Sequence, residues 1–196
     1  MWGLSPFMTY LVIINIAGFI LYLVNTLLYR MTADGQIDAV ITVVSLLGGS
    51  LGIVISILIF DRKSEKGNMM SRVFVACVLV IQIIIFLVVR GHYADHITLA
   101  FWSFFDEHKI LLAYLVIINF VTFAAFAIDK IAAIEHKSRI RIVTLLGLSF
   151  VGGSIGGIMA MYLLRHKTRK DYFTVGLPLI IVMQIVLLFY VMNAAW

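Results

Sequence analysis

Residues 10–15 read YLVIIN, and residues 114–119 repeat the same six letters 104 positions later. An internal repeat has to be found before a fold is argued, because it makes the repeated half the unit of structure. The chain is therefore a tandem duplication of a unit of about 90 to 100 residues. The same offset superimposes Gly48, Gly49, Ser50 and Gly52 on Gly152, Gly153, Ser154 and Gly156.

The composition is that of an integral membrane protein. Hydrophobic residues make up 63% of the chain and charged residues 13%, and the mean hydropathy is +1.08. A helix needs roughly 20 apolar residues to cross a bilayer core. We therefore predict an all-α membrane fold that repeats a three-segment unit. The six apolar segments are residues 9–28, 39–60, 73–89, 110–128, 142–164 and 173–192.

These segments leave little of the chain unassigned. We predict a first, degenerate membrane repeat at residues 1–90, an interfacial connector at 91–109 and a second repeat at 110–196. No soluble catalytic domain fits in the short loops. The first apolar run lacks a cationic start and a cleavage site, so we expect a retained helix and no signal peptide. The single cysteine, Cys77, is expected to pack inside a helix bundle.

The net charge of +5 comes from cations in short loops beside the apolar segments. Such cations bias topology and attract anionic lipid head groups. We therefore expect the lipid bilayer, including anionic phospholipid, as the partner, and no nucleic acid. A homo-oligomer is left open, because a chain of this size exposes large apolar surfaces.

The middle segment of each repeat has two alternative topologies. Six straight spans would put eight cations on one face and seven on the other, which gives no orientation. If each middle segment instead turned back at its glycines, four spans and two re-entrant hairpins would put thirteen cations on one face and two on the other. The glycines also form GxxxG pairs that let straight helices approach closely. They are Gly48, Gly49, Gly52, Gly152, Gly153, Gly156 and Gly157, assigned to helix packing or to a re-entrant turn.

A charged pattern in the second half has a family resemblance. Asp129 and Lys130 are followed by Arg139-Ile140, a double glycine, and Arg165-His166-Lys167-Thr168. This pattern resembles the DUF1294 family of small bacterial membrane proteins. The resemblance implies a membrane location, in the bacterial inner membrane, and residues to examine, but no reaction.

The chain departs from the family pattern at two places. Arg141 and Ile142 stand where the family has Pro-Glu. If that glutamate has a role in the family, this chain lacks the residue for it. The first half carries Asn25-Thr26 in place of Asp129-Lys130. It therefore keeps the architecture and loses the charged signature.

Two sets of polar residues are candidates for a site. Ionisable groups at the end of an apolar helix either pair and reach the interface or hold a ligand. The cationic run after residue 164 either sets topology or grips phosphate. The candidate polar or anion-binding residues are Asp129, Lys130, Arg139, Arg165, His166, Lys167, Thr168 and Lys170.

Amides inside apolar helices form the second set: Asn15 with Asn119, and Gln82 with Gln184 after a two-residue slip. They either bond neighbouring helices or line a polar path, as broken helices do in transporters.

No motif of a known catalytic class is present, so no catalytic residue, metal or cofactor is predicted. His92 and His96 could chelate a metal, but the aromatic residues that follow favour an interfacial stretch. Duplication, glycine breaks and paired amides favour a transport scaffold for a small solute, ion or lipid. An assembly subunit and a lipid-modifying enzyme at the interface are the alternatives.

Overall fold

The computed structural model describes residues 6–31, 38–61, 69–93 and 97–194. Every regular element in these ranges is helical, which confirms the all-α prediction. Within these described ranges, six segments are long and apolar enough to cross a membrane, as the sequence predicts. Four of the cations counted for the topology and one connector histidine lie outside the described residues or have undescribed side chains: Arg30, Arg62, Lys63, Lys66 and His96.

The chain divides into two compact units, Met1–Ile83 and Ile84–Trp196. The division falls inside a helix, somewhat before the boundary at residue 90 expected from the sequence. Each unit is described by itself, with the last turns of α4 belonging to unit 2. Unit 1 contains α1 (Pro6–Met31), α2 (Asp38–Val44), a π-helical turn (Ser45–Gly49), α3 (Ser50–Phe60) and most of α4 (Met69–Val89).

Unit 2 repeats this order after the connector. A short helix with exposed aromatic residues precedes the long helix, as an interfacial segment would. The elements are α5 (Phe101–Glu107), α6 (Lys109–Ile134), α7 (Ile142–Leu148), a second π-helical turn (Ser149–Gly153), α8 (Ser154–Leu163), α9 (Asp171–Thr174) and α10 (Gly176–Met192).

The middle segment of unit 2 folds back on itself. Ile140, just before α7, and His166, just after α8, both contact the carboxylate of Asp129. A straight helix would separate two residues 26 positions apart by about 39 Å. We call α7, its turn and α8 hairpin 2. Its geometry favours the re-entrant alternative.

The middle segment of unit 1 folds in the same way, and α2, its turn and α3 are hairpin 1. Tyr22 packs in one buried cluster with Ile41 of α2, and its hydroxyl donates to Asp61 just after α3. The turn reaches back along α1, where the Tyr10 hydroxyl donates to the Leu47 carbonyl at 2.7 Å. Both ends of hairpin 1 are thus close to Tyr22.

Glycine makes the turn of each hairpin. Gly48 and Gly152 have φ of 111° and 129°, in the left-handed region that ends many helices and that other residues adopt at a cost. The next helix begins two residues later, at Ser50 or Ser154. The duplicated glycines therefore break the helix.

Other glycines let the hairpin approach the long helix. A Cβ added at Gly156 would overlap the Asn119 carbonyl oxygen, and one at Gly52 would overlap that of Asn15. In hairpin 2, a Cβ at Gly157 would lie 2.9 Å from the hydroxyl of Ser149, the first residue of the turn. The small residues thus serve close packing as well as the turn.

Candidate functional site

Asp129 ties both ends of hairpin 2 to α6. Its side chain is completely buried. One carboxylate oxygen accepts the Ile140 backbone N–H at 3.0 Å, and the other lies 2.8 Å from His166 Nε2 and 2.7 Å from Lys167 Nζ. We call these four residues the Asp129 clasp. A buried charge requires such partners, because an unpaired carboxylate at this depth would be very costly.

Lys167 is held from two sides. Its ammonium pairs with Asp129 and lies 4.9 Å from the centroid of the Phe173 ring, in a cation–π contact. Phe173 is itself buried edge-on against Phe126 of α6. Burial lowers the pKa of Lys167 below its ordinary value, against the opposing effect of Asp129, and the nearby charge of Arg139 lowers it further.

The backbone around Lys167 is unusual for residues with side chains. Arg165 and Lys167 have φ of 46° and 63°. At Arg165 the left-handed residue ends α8, and the His166 N–H bonds back to the Met161 carbonyl at 3.0 Å. Backbone strain of this kind persists only where the surroundings impose it. The turn brings His166 and Lys167 together onto one carboxylate.

The remaining candidates of the charged pattern surround the clasp without joining it. Arg139 directly precedes Ile140 and is exposed, as are Arg165 and Lys170, while Lys130 and Thr168 are half-buried. Within the described ranges, none of the cations among them forms an ion pair. The expected ion pairing thus occurs at Asp129, whose side chain is buried within the protein.

Unit 1 has a different clasp, which was not predicted from the sequence. Asp61, at the end of hairpin 1, accepts from the Tyr22 hydroxyl at 2.8 Å and pairs with Arg72 at 2.6 Å. Asn25 occupies the position equivalent to Asp129 and is buried. The carboxylate has moved from the long helix to the hairpin. The sequence signal for this ion pair is an aspartate that is followed by an arginine eleven residues later.

The side-chain amides of Asn15 and Asn119 hydrogen-bond to the turns of the two hairpins. Asn119 donates to the carbonyls of Leu115 and Gly152, at 2.8 and 2.9 Å, and accepts the Gly156 N–H at 2.7 Å. Asn15 makes the equivalent three bonds in unit 1. They satisfy backbone groups that the break in the helix leaves without a partner.

The glutamines complete this arrangement. Gln184 donates to the carbonyls of Ser149 and Phe150, at 2.7 and 3.0 Å, and accepts from the Ser154 hydroxyl. Gln82 makes equivalent contacts in unit 1. The two-residue slip inferred from the sequence therefore places both glutamines at equivalent turns.

A pocket lies beyond the turn of hairpin 2. The turn of hairpin 2 contacts α6 at Tyr114 and Asn119, which donate to the carbonyls of Val151 and Gly152, whereas α6 begins at Lys109. A cavity of about 410 Å³ lies beside this turn, between the first half of α6 and the last half of α10. Its lining includes Leu115, Asn119, Phe150, Ile181, Gln184 and Leu188.

The connector shows no metal site within its described part. His92 is exposed, and His108 stacks on Phe104 with a ring-centroid distance of 4.4 Å. No group of three His, Cys, Asp or Glu residues among the described positions could hold a metal ion. Residues 97–100 are tied to the end of α10, since Asn193 bonds both the N–H and the carbonyl of Thr98.

Comparisons with known proteins centre on hairpin 2. A family described as "Protein of unknown function (DUF1294)" matches residues 119–173, which include the whole Asp129 clasp. The chain is also similar to "Uncharacterized protein YsdA" of Bacillus subtilis (strain 168), with 39% identity over 79 residues. That match covers 40% of this chain and 89% of the relative, which is thus about the size of one repeat. No solved structure matches significantly.

Proposed function

This chain belongs to the DUF1294 family of proteins of unknown function, and from that premise we propose that it is a membrane transport scaffold for lipid-like molecules. In this proposal α6 and α10 cross the bilayer and hairpin 2 enters only half of it. The pocket beyond the hairpin turn carries the proposal, because it is where a ligand would be held.

The pocket has the size and lining of a small-molecule site. Its volume of about 410 Å³ is within the usual range of ligand pockets, roughly 300–1,000 Å³. Non-helical backbone at membrane depth must have its polar groups satisfied, and Asn119 and Gln184 bond the turn carbonyls beside this cavity. A half-depth hairpin between two full-length helices produces such a cavity without any further element.

The lining chemistry favours an apolar ligand over an ion or a polar solute. Most lining residues are leucine, isoleucine, valine or aromatic. The amides of Asn119 and Gln184 already bond the hairpin turn, so they offer little hydrogen bonding to a ligand. Of the three substrate classes considered from the sequence, the acyl chain of a lipid fits this surface best.

The charges of unit 2 support an orientation. Only Lys109 lies at the start of α6, whereas eight cations lie near the Asp129 clasp. Cations accumulate on the cytoplasmic side of membrane proteins. We propose a bacterial inner membrane location in which the clasp faces the cytoplasm and the pocket faces the opposite leaflet. The eight cations are Lys130, Lys137, Arg139, Arg141, Arg165, Lys167, Arg169 and Lys170.

The two other functions have less support. An interfacial enzyme would use Asp129 and His166, but the Asp129 carboxylate is buried and fully bonded to its own chain. An assembly subunit would use its GxxxG glycines between proteins, whereas Gly52 and Gly156 pack against helices of their own unit.

The proposal is tested by filling the pocket. Ile181→Trp would occupy the cavity, and Val182→Trp is the matched control, because Val182 is exposed on the same helix and does not line the pocket. Purified variants are placed in proteoliposomes, and transbilayer movement of a fluorescent phospholipid is followed. We expect movement with the wild type and Val182→Trp, and loss of it with Ile181→Trp. Equal rates in all samples and in empty vesicles would contradict the proposal.

A further inference from the structure

The end of unit 2 that carries the Asp129 clasp has more positive charge than its own carboxylates can balance. Asp129 is matched by Lys167, and Glu135 pairs with Lys137 at 2.7 Å. Among the described residues, Arg139 and Arg165 have no carboxylate partner, and both are exposed. An anion binding between them would offset charge that the fold leaves uncompensated.

The clasp fixes the backbone beside both arginines. Arg139 is one residue from the Ile140 N–H that Asp129 binds, and Arg165 is one residue from His166, which contacts the other carboxylate oxygen. The two arginines come from opposite ends of hairpin 2, and the residue next to each of them contacts the same carboxylate. The left-handed φ of 46° at Arg165 turns the backbone away from the path of α8. The Arg165 side chain therefore leaves the backbone in a direction that a regular helix would not give it. The contacts that close hairpin 2 therefore also fix the backbone positions of the two arginines.

The chemistry of two guanidinium groups selects the ligand. Arginine presents planar N–H donors that match the oxygens of a phosphate, often in bidentate pairs. The location favours a phosphate that is carried at a membrane surface, because the arginines lie where the apolar helices end. We propose that Arg139 and Arg165 form a binding site for the phosphate group of an anionic phospholipid. This site is at the opposite end of α6 from the pocket, so the two proposals can be tested independently of each other.

The test uses the full chain in detergent and counts bound lipid by native mass spectrometry. Phosphatidylglycerol is titrated against phosphatidylcholine for the wild type and for Arg139→Gln/Arg165→Gln. The charge-matched control is Arg90→Gln/Lys109→Gln, which removes two cations that flank the connector. At about fivefold per basic residue, we expect roughly thirtyfold weaker phosphatidylglycerol binding in the first double variant. The control should stay within about twofold of the wild type on the same scale.

Two further arms keep the result interpretable. Arg139→Lys/Arg165→Lys keeps the charge and loses the planar fork, so it should fold and bind with an intermediate loss. Inorganic phosphate is added as a competitor: displacement of the lipid would identify a soluble phosphate compound as the ligand of the same site, and no displacement would identify the lipid. Equal losses in the Gln variant and its control, or equal binding of the two lipids by the wild type, would overturn the proposal.

Discussion

Replacing Asp129 by Asn tests whether the clasp closes hairpin 2. Asparagine keeps the shape of the side chain and one oxygen that can accept the Ile140 N–H. It removes the charge that compensates Lys167, whose side chain is only 14% exposed. The variant therefore breaks the ion pair without creating a cavity.

The expected cost follows from the burial of the pair. Removing one partner of a buried ion pair destabilises a protein by about 3–5 kcal/mol, because the other charge stays buried. Lys167 retains a little exposure and its contact with Phe173, so we expect the lower end, about 3 kcal/mol. At about 2–4 °C per kcal/mol for a chain of this size, the midpoint of thermal unfolding should fall by roughly 6–12 °C.

The assay is thermal unfolding of the purified protein in a mild detergent, followed by tryptophan fluorescence. Glu135→Gln is the control, since it breaks an exposed pair in which Lys137 is 72% exposed. Such surface pairs contribute about 0–1 kcal/mol. A shift for Asp129→Asn no larger than that for Glu135→Gln would mean that the buried ion pair does not stabilise hairpin 2.

A double variant separates the charge effect from other damage. Lys167→Met keeps an apolar stem against Phe173 and removes the ammonium. If Lys167 is the group left uncompensated, Asp129→Asn/Lys167→Met should be more stable than the sum of the single effects by about 1–3 kcal/mol. Strict additivity would mean that the two side chains do not act as a pair.

Three further substitutions follow from the geometry of the hairpins. Gly156→Ala should lower thermal stability strongly, because its Cβ would overlap the Asn119 carbonyl, whereas Gly147→Ala, with open space around it, should not; equal effects would contradict the packing. Ser56→Ala should raise the free energy of unfolding by about 1 kcal/mol, because the buried hydroxyl has no hydrogen-bond partner in the described structure, and a loss of stability would contradict this. Arg165→Gly should be about 1 kcal/mol more stable than Arg165→Ala, because glycine adopts the left-handed φ of 46° without strain; the reverse order would contradict it.

The duplication made the architecture readable from the sequence. Identical glycines at Gly48 and Gly152 marked the break in each middle segment, and the charge bias favoured hairpins. Sequence could not decide between a hairpin and a straight GxxxG helix, because both need the same glycines. What distinguishes them is which residues meet at the two ends of the segment. Ile140 and His166 lie 11 and 37 residues from Asp129 in the sequence, which is too far for a local periodicity to indicate the contacts.

The site was predictable to a different degree in each unit. In unit 2 the charged pattern pointed to Asp129, His166 and Lys167, although their mutual contacts required the fold. In unit 1 the clasp uses Tyr22 and Arg72, and neither matches a charged position of the other repeat. The carboxylate is on the long helix in one repeat and just after the hairpin in the other, so an alignment of the repeats does not match the two.

The central claim, that hairpin 2 starts and ends at the same face of the membrane, is tested by cysteine accessibility in intact cells. With Cys77 replaced by Ala, single cysteines are placed at Ser138 before the hairpin, at Thr168 after it, and at Ser103 in α5 as a marker of the opposite face. A membrane-impermeant maleimide is applied before and after permeabilisation. We expect Ser138→Cys and Thr168→Cys both to be labelled only from the cytoplasm, and Ser103→Cys from outside. Labelling of Ser138→Cys and Thr168→Cys from opposite sides would contradict it.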